Sequence, residues 1–181
     1  NAWNANTQIE GLKTYALGTD VKSYRIITTF RLTKASAALT GIFYSNRFKS
    51  VQKKAVDFGL CDSSLFPSDG GVIYYYTQDF TNGVVSETGL NIVGQVINAF
   101  SSNYPKRSLA IISPFNDTVK QLQKSFLTDS SIDDITIETI DRIQGMTVDY
   151  AILYIPGRNP GFALDERRFN VATSRSRSTT L

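Results

Sequence analysis

The stretch SLAIISPF, residues 108–115, decides how the chain is built. Leu109, Ala110, Ile111 and Ile112 run on without the apolar–polar alternation of a half-exposed strand, so both faces of this strand are expected to be covered. The next segment, NDTVKQLQKSFL (116–127), changes period and sets Val119, Leu122 and Phe126 on one side of a helix. DITIETID (134–141) then reads as a second strand, and YAILYIP (150–156) as a third that again lacks alternation. Strands separated by helices of this length predict an α/β domain with a parallel sheet covered on both faces.

The same pattern extends in both directions. Upstream, TQIEGLKTYALG (7–18) predicts a short helix and SYRIITTF (23–30) a strand. KASAALTGIFYSNRF (34–48) returns to helix formers, with Ala38, Ile42 and Phe43 expected on one face. GVIYYYT (71–77) reads as a strand and NIVGQVINAFSSNY (91–104) as an amphipathic helix. Downstream, LDERRFNVATSRS (164–176) predicts a helix opened by Asp165, and a last strand is expected to begin at Thr179. Residues 1–25 form a lead-in, and 49–71 an irregular connection with turn residues Pro67, Asp69, Gly70 and Gly71. The chain of 181 residues is expected to be one domain, and its opening NAWNANTQIEG reads as an internal cut in a longer protein.

Composition removes several classes of chemistry. The chain has no histidine, so His-based acid–base catalysis and His-containing metal sites are not available to it, and no metal site is expected. A single cysteine, Cys61, leaves no internal disulfide and fits a cytoplasmic protein. No apolar run reaches membrane-spanning length, so no membrane partner is expected. The net charge is +3, and its placement matters more than its size. Residues 158–177 hold Arg158, Arg167, Arg168, Arg175 and Arg177 against Asp165 and Glu166, which leaves the rest balanced at 14 basic to 14 acidic. Arginine is suited to forked hydrogen bonding with phosphate.

A nucleotide-hydrolysing α/β domain would carry G-x-x-x-x-G-K-[ST], whose amides and lysine hold phosphates, and no such match occurs. No acidic pair in the manner of a magnesium site follows an apolar strand, so this domain alone should not hydrolyse ATP. FNVATSRSR (169–177) instead offers arginines on a helical frame, Arg168 and Arg175 being seven apart. They suit phosphoryl transfer supplied in trans. A solvated basic helix end is the alternative. YSNRFKSVQKK (44–54) interleaves Tyr44 and Phe48 with Arg47, Lys49, Lys53 and Lys54, as a single-strand binder would, or as an exposed lysine-rich helix face would.

The order of the segments is what carries a resemblance. TIETIDRIQG (136–145), DYAILYI (149–155) and RRFNVATSRSR (167–177) resemble motifs V and VI of superfamily 1 helicases, which run S/T-x-D-x-x-Q-G and R-x-N-V-A-x-[ST]-R-[AS]-[RK]. IISPFNDTVKQL resembles that family's apolar strand ending before a helix, and ITTFRLTKASAALTGIFYSNRF its upstream aromatic–arginine block. These blocks span Ile26 to Arg177, and the nearest likeness is to the group containing the nonsense-mediated decay helicase.

The resemblance implies the second of two RecA-like domains, a P-loop NTPase-like fold without its own phosphate loop. An N-terminal RecA-like domain would hold most of ATP and Mg2+, and single-stranded DNA or RNA would be the other partner. Arg175 would meet the γ-phosphate, with Arg31 as a second contact and Gln144 beside them; Phe30 would lie next to the adenine, with Gly145 and Arg177 also on the nucleotide side. Thr139, Asp141, Ser113, Pro114 and Asn116 would touch the nucleic-acid backbone. Thr147 stands where several relatives carry a ribose-binding glutamate. Residue by residue, other readings stay open: Phe30 as a strand-end core residue, Arg31 as a surface arginine, Gly145 as a positive-φ turn, Thr139 as a strand end, Asn116 as a helix cap. The alternative for the whole is a non-catalytic RecA-like module for partner or nucleic-acid binding, or an unrelated anion-binding α/β domain.

Overall fold

The computed structural model describes residues 27–44, 46–52, 58, 64–81, 83–127 and 135–181. The expected helix at 7–18, the first half of the 23–30 strand, Lys53, Lys54 and Cys61 lie outside the described residues. The elements are β1 (Thr28–Thr29), α1 (Lys34–Gly41), β2 (Lys49–Ser50), β3 (Gly71–Val72), β4 (Phe80–Thr81), β5 (Val85–Ser86), α2 (Glu87–Asn103), β6 (Leu109–Ser113), α3 (Asn116–Phe126), β7 (Ile135–Thr139), β8 (Val148–Leu153), α4 (Pro160–Ala163), α5 (Glu166–Thr173) and β9 (Ser176–Thr180). A five-stranded, all-parallel sheet of order β3-β9-β8-β6-β7 organises them, beside two small two-stranded pairs, β1-β2 and β4-β5.

The apolar run that opened the reading forms β6, buried at every position. Alternate residues serve opposite faces. Leu109 and Ile111, with Tyr150 and Ile152 of β8, join Val93, Val96 and Phe100 of α2 and Val119 and Leu122 of α3. Ala110, Ile112, Val148 and Ala151 face the other way and meet Ala172 of α5 together with Ile140 and Ile143. Each large apolar side chain so buried contributes about 1.5–3 kcal/mol. The first face is aromatic and deep: Phe58, Phe66, Phe100 and Tyr150 pack with ring centroids 5.3–6.1 Å apart. Burial pushes the Tyr150 phenol far up, and its hydroxyl donates to the Leu65 carbonyl at 2.7 Å. On the second face Ala110 and Ala151 cluster with Ala172, which lets α5 come close.

Helix starts follow their capping chemistry. Ser86 Oγ accepts from Gly89 N at 2.7 Å at the start of α2, and Asp165 Oδ1 accepts from Arg168 N at 3.2 Å at the start of α5, as its position in the sequence predicts. The open edge of the sheet is covered on one side, where Gln123 Nε2 of α3 donates to the Ile137 carbonyl of β7 at 2.8 Å.

Four expectations are corrected. The 34–48 helix stops at Gly41 and closes in a single 3-10 turn, Ile42–Tyr44. Its buried residues are Ser36, Ala37, Thr40 and Gly41, while Ala38 and Ile42 are exposed. Small residues win here because α1 approaches Gly71 of β3: a Cβ on Gly71 would stand 3.1 Å from that of Ala35. GVIYYYT keeps only Gly71–Val72 as strand, leaving Tyr74, Tyr75 and Tyr76 exposed. The last strand starts at Ser176, three residues earlier than expected, because its hydroxyls are satisfied internally. Ser176 Oγ donates to the Asp149 carbonyl at 3.0 Å, and Thr180 Oγ1 to that of Thr173 at 3.4 Å. Asn116 does not cap α3, since the cap position is Phe115 and no side chain bonds there.

Candidate nucleotide and nucleic-acid site

The expected site residues divide between the two ends of the sheet. Ser113 and Thr139 close the carboxyl ends of β6 and β7, while Arg175 sits in the turn between α5 and β9, at the amino ends of β8 and β9. The Arg175 carbonyl accepts from Val148 N at 3.1 Å, fixing that turn to the first residue of β8.

Arg175 therefore lies just past α5, not on a helical face shared with Arg168. Its Nε donates to the Val171 carbonyl at 2.7 Å and its Nη2 to Ser174 Oγ at 2.9 Å, so the guanidinium wraps the helix C-terminus, where the dipole favours a cation. Its Nη1 reaches the Met146 carbonyl at 3.5 Å. Arg31, 143 residues earlier by sequence separation from Ser174, donates from Nη1 to the Ser174 carbonyl at 3.2 Å. The two arginines thus converge on one serine. Arg31 is half-buried and held, so the plain surface-arginine reading does not describe it.

Beside them is a cleft of about 380 Å³ lined by Phe30, Arg31, Thr40, Phe48, Asn170 and Ser174, among others. Phe30 is 80% exposed at its rim, which removes the core-residue alternative. An aromatic ring so exposed, in a cleft that Arg31 and Ser174 also line, can stack on a planar base. Phe43 packs edge-on against Phe169, centroids 6.3 Å apart, tying the turn after α1 to α5. Phe48 lines the cleft rather than a lysine-rich helix; Asn46 there has a left-handed φ of 56° and β2 follows.

Gln144 is exposed, and Gly145 adopts φ 92° with open space where a Cβ would stand. Both belong to the loop joining β7 to β8, which starts at Thr139 at the carboxyl end and finishes at Met146 beside Arg175 at the amino end. Ile140 and Ile143 pin this loop into the sheet face next to α5. One loop accordingly touches both ends.

Arg177 takes a different place from Arg175. Val148 pairs with Ser176 but Tyr150 with Thr179, so β9 holds one extra residue there, a bulge that re-aims its side chain. The Arg177 guanidinium lies 3.8 Å from Asp149 Oδ1, as does that of Arg107, and the buried Asp149 also accepts from Ser108 N at 3.1 Å through Oδ2.

At the carboxyl ends, Ser113 is fully buried, its hydroxyl turned toward Phe115 N at 3.5 Å, and Thr139 is buried as well. Pro114 is half-buried; Asn116 and Asp141 are exposed and form the accessible part of that edge. Two further arginines stand here, unlike Arg175 and Arg177: the guanidinium of Arg158 lies 4.8 Å from the Phe115 ring centre and that of Arg168 4.1 Å from that of Phe162, the two rings being 5.3 Å apart. Arg158 also pairs with Asp117. Partial burial would raise the Asp117 carboxyl, but its bond from Arg158 brings it below the ordinary value. The single basic region of the sequence is in three dimensions two basic regions, because α5 separates its two halves.

Comparison with known proteins fits this geometry. A family profile described as AAA domain matches residues 37–181. The chain belongs to the AAA domain family. Within it, 84 residues are 39% identical to a Saccharomyces cerevisiae protein named DNA polymerase alpha-associated DNA helicase A. That match covers 44% of this chain and 12% of the yeast protein. The parallel sheet with helices on both faces is the RecA-like arrangement of P-loop NTPases, and this AAA domain is helicase-like in the manner of superfamily 1. Among the described residues, no helix is long and apolar enough to cross a membrane.

Proposed function

We propose that this AAA domain is the second motor half of an ATP-dependent superfamily 1 helicase or translocase. The supporting observation is the meeting of Arg31 and Arg175 on Ser174 beside the exposed ring of Phe30. The reaction is attack of water on the γ-phosphorus of ATP with release of ADP. Negative charge spreads over the phosphoryl oxygens as the bond to the leaving oxygen lengthens. Arg175 stabilises that charge, and Arg31 adds a second set of donors. Phe30 stacks on the adenine, and Gln144 lies on the loop that approaches the same pocket. A first RecA-like domain supplies the phosphate loop and the carboxylates for Mg2+, whose chemistry is charge neutralisation on the phosphates.

At the carboxyl edge, Asn116 and the main chain around Pro114 and Thr139 contact the backbone of a single strand of DNA or RNA, with Asp141 shaping that loop. Contacts of this kind position without reading sequence. Closure on ATP and reopening after hydrolysis shift the grip along the strand, each ligand favouring one of two domain arrangements.

The deciding experiment is Arg175→Ala in the full-length protein. ATP turnover should fall at least about 1,000-fold with single-strand binding retained. Turnover at the wild-type rate removes the arginine from the reaction and leaves a non-catalytic binding module as the better reading.

A further inference from the structure

Both arginines are long arms, so where their guanidinium groups stand depends on how their main chains are held. Arg31 follows β1, while Arg175 precedes β9, and the two segments are far apart in sequence. One side chain ties them. Gln52 Nε2 donates to the Arg31 carbonyl at 2.9 Å and to the Arg177 carbonyl at 2.9 Å, two bonds that span sequence separations of 21 and 125 residues. Its own backbone is fixed by Ser50: Gln52 N donates to Ser50 Oγ at 3.0 Å, and Ser50 Oγ donates to the Leu32 carbonyl at 2.6 Å. The register of β2 against β1 sets this arm, with Val51 N donating to the Thr29 carbonyl at 2.9 Å. A carboxamide NH2 is suited to the task, having two N–H groups for two carbonyl acceptors.

We infer that Gln52 is a positioning residue for ATP hydrolysis, holding the Arg31 segment and the start of β9, just after Arg175, at a fixed separation so that both guanidinium groups reach one phosphoryl group together. The inference rests on the arginine reading given above. Its physical basis is that misplacement by about 1 Å of a group that acts on the transition state costs up to about 100-fold in rate. Gln52 touches no reacting atom, so its effect should be carried by Arg31 and Arg175.

The test compares Gln52→Met, Arg31→Ala, the double variant and Arg175→Ala in the full-length protein, measuring kcat and KM for ATP, single-strand affinity and Tm. Methionine keeps the length and removes both donors, and Tm reports whether the fold is retained. The expected result is a kcat lowered about 10-fold or more in Gln52→Met with KM for ATP and strand affinity little changed. The losses of Gln52→Met and Arg31→Ala should not add in the double variant, because the first acts through the second. A Gln52→Met protein that turns over at the wild-type rate, or whose loss adds in full to that of Arg31→Ala, overturns the positioning role while leaving the Arg175 reading in place. A variant that loses Tm and kcat together, with additive losses, is equally against it. Wild-type turnover in Arg175→Ala removes the arginine reading and this inference with it.

Discussion

Phe30 is the residue whose setting says most about use, since an 80% exposed ring contributes little to folding. Phe30→Ala should leave Tm unchanged and raise KM for ATP about 2- to 10-fold, the range expected from 0.5–1.5 kcal/mol of ring stacking. Phe30→Tyr should behave as wild type, and both are read by steady-state kinetics in the full-length protein. Gly145 makes the complementary case. Its φ of 92° lies where a side chain is strained, yet a Cβ would meet nothing. Gly145→Ala should cost about 1–3 kcal/mol through backbone strain alone, visible as a lowered denaturation midpoint. The aromatic–arginine pair and the glutamine–glycine pair were legible in the sequence because their order matches a family pattern. Gln52 was not, since one glutamine in an irregular stretch carries no local signal; its importance comes from two carbonyls that only folding brings together.

Among the elements, α2 shows how far a helix start can be read. The sequence marks the amphipathic run from Asn91, but the helix begins at Glu87, because Ser86 caps it and Asp79, just before β4, accepts from Thr88 N at 2.7 Å. That bond, chiefly from the Thr88 backbone, lowers the Asp79 carboxyl to about 2. A depressed carboxylate stabilises the fold above its ordinary pKa of about 4, and the contribution is lost as pH falls through about 2. Asp79→Asn should therefore denature more easily than wild type at pH 7, with the difference vanishing near pH 2. Tyr154 completes the start of α2 by accepting from Ser86 N at 2.7 Å. Tyr154→Phe strands that buried amide and should cost about 1–3 kcal/mol by denaturant titration. Strand β9 was only partly legible: a linear reading begins it at Thr179 and leaves Ser176 at the end of the preceding helix, yet Ser176 and Ser178 are buried strand residues like Thr179 and Thr180. Small hydroxyl residues fit there because Gly70 comes so near that a Cβ on it would lie 2.5 Å from the Ser178 carbonyl oxygen.

For the whole molecule, the parallel α/β architecture was readable because two strands lack alternation and the helices between them hold their period. The division of the arginines between the ends of the sheet was not, since one basic stretch of sequence gives no hint that an eight-residue helix carries its two halves apart by about 12 Å. The edge strand β7 has a consequence for how copies of the protein treat one another. An uncovered strand invites a second molecule to continue the ladder. The Gln123 amide already fills the Ile137 carbonyl on that margin, so intermolecular strand addition must first displace it. Gln123→Leu should scatter more light on heating at high concentration while unfolding at nearly the same temperature. On that outcome the wild-type glutamine guards colloidal solubility, a duty separate from any chemistry at the arginines.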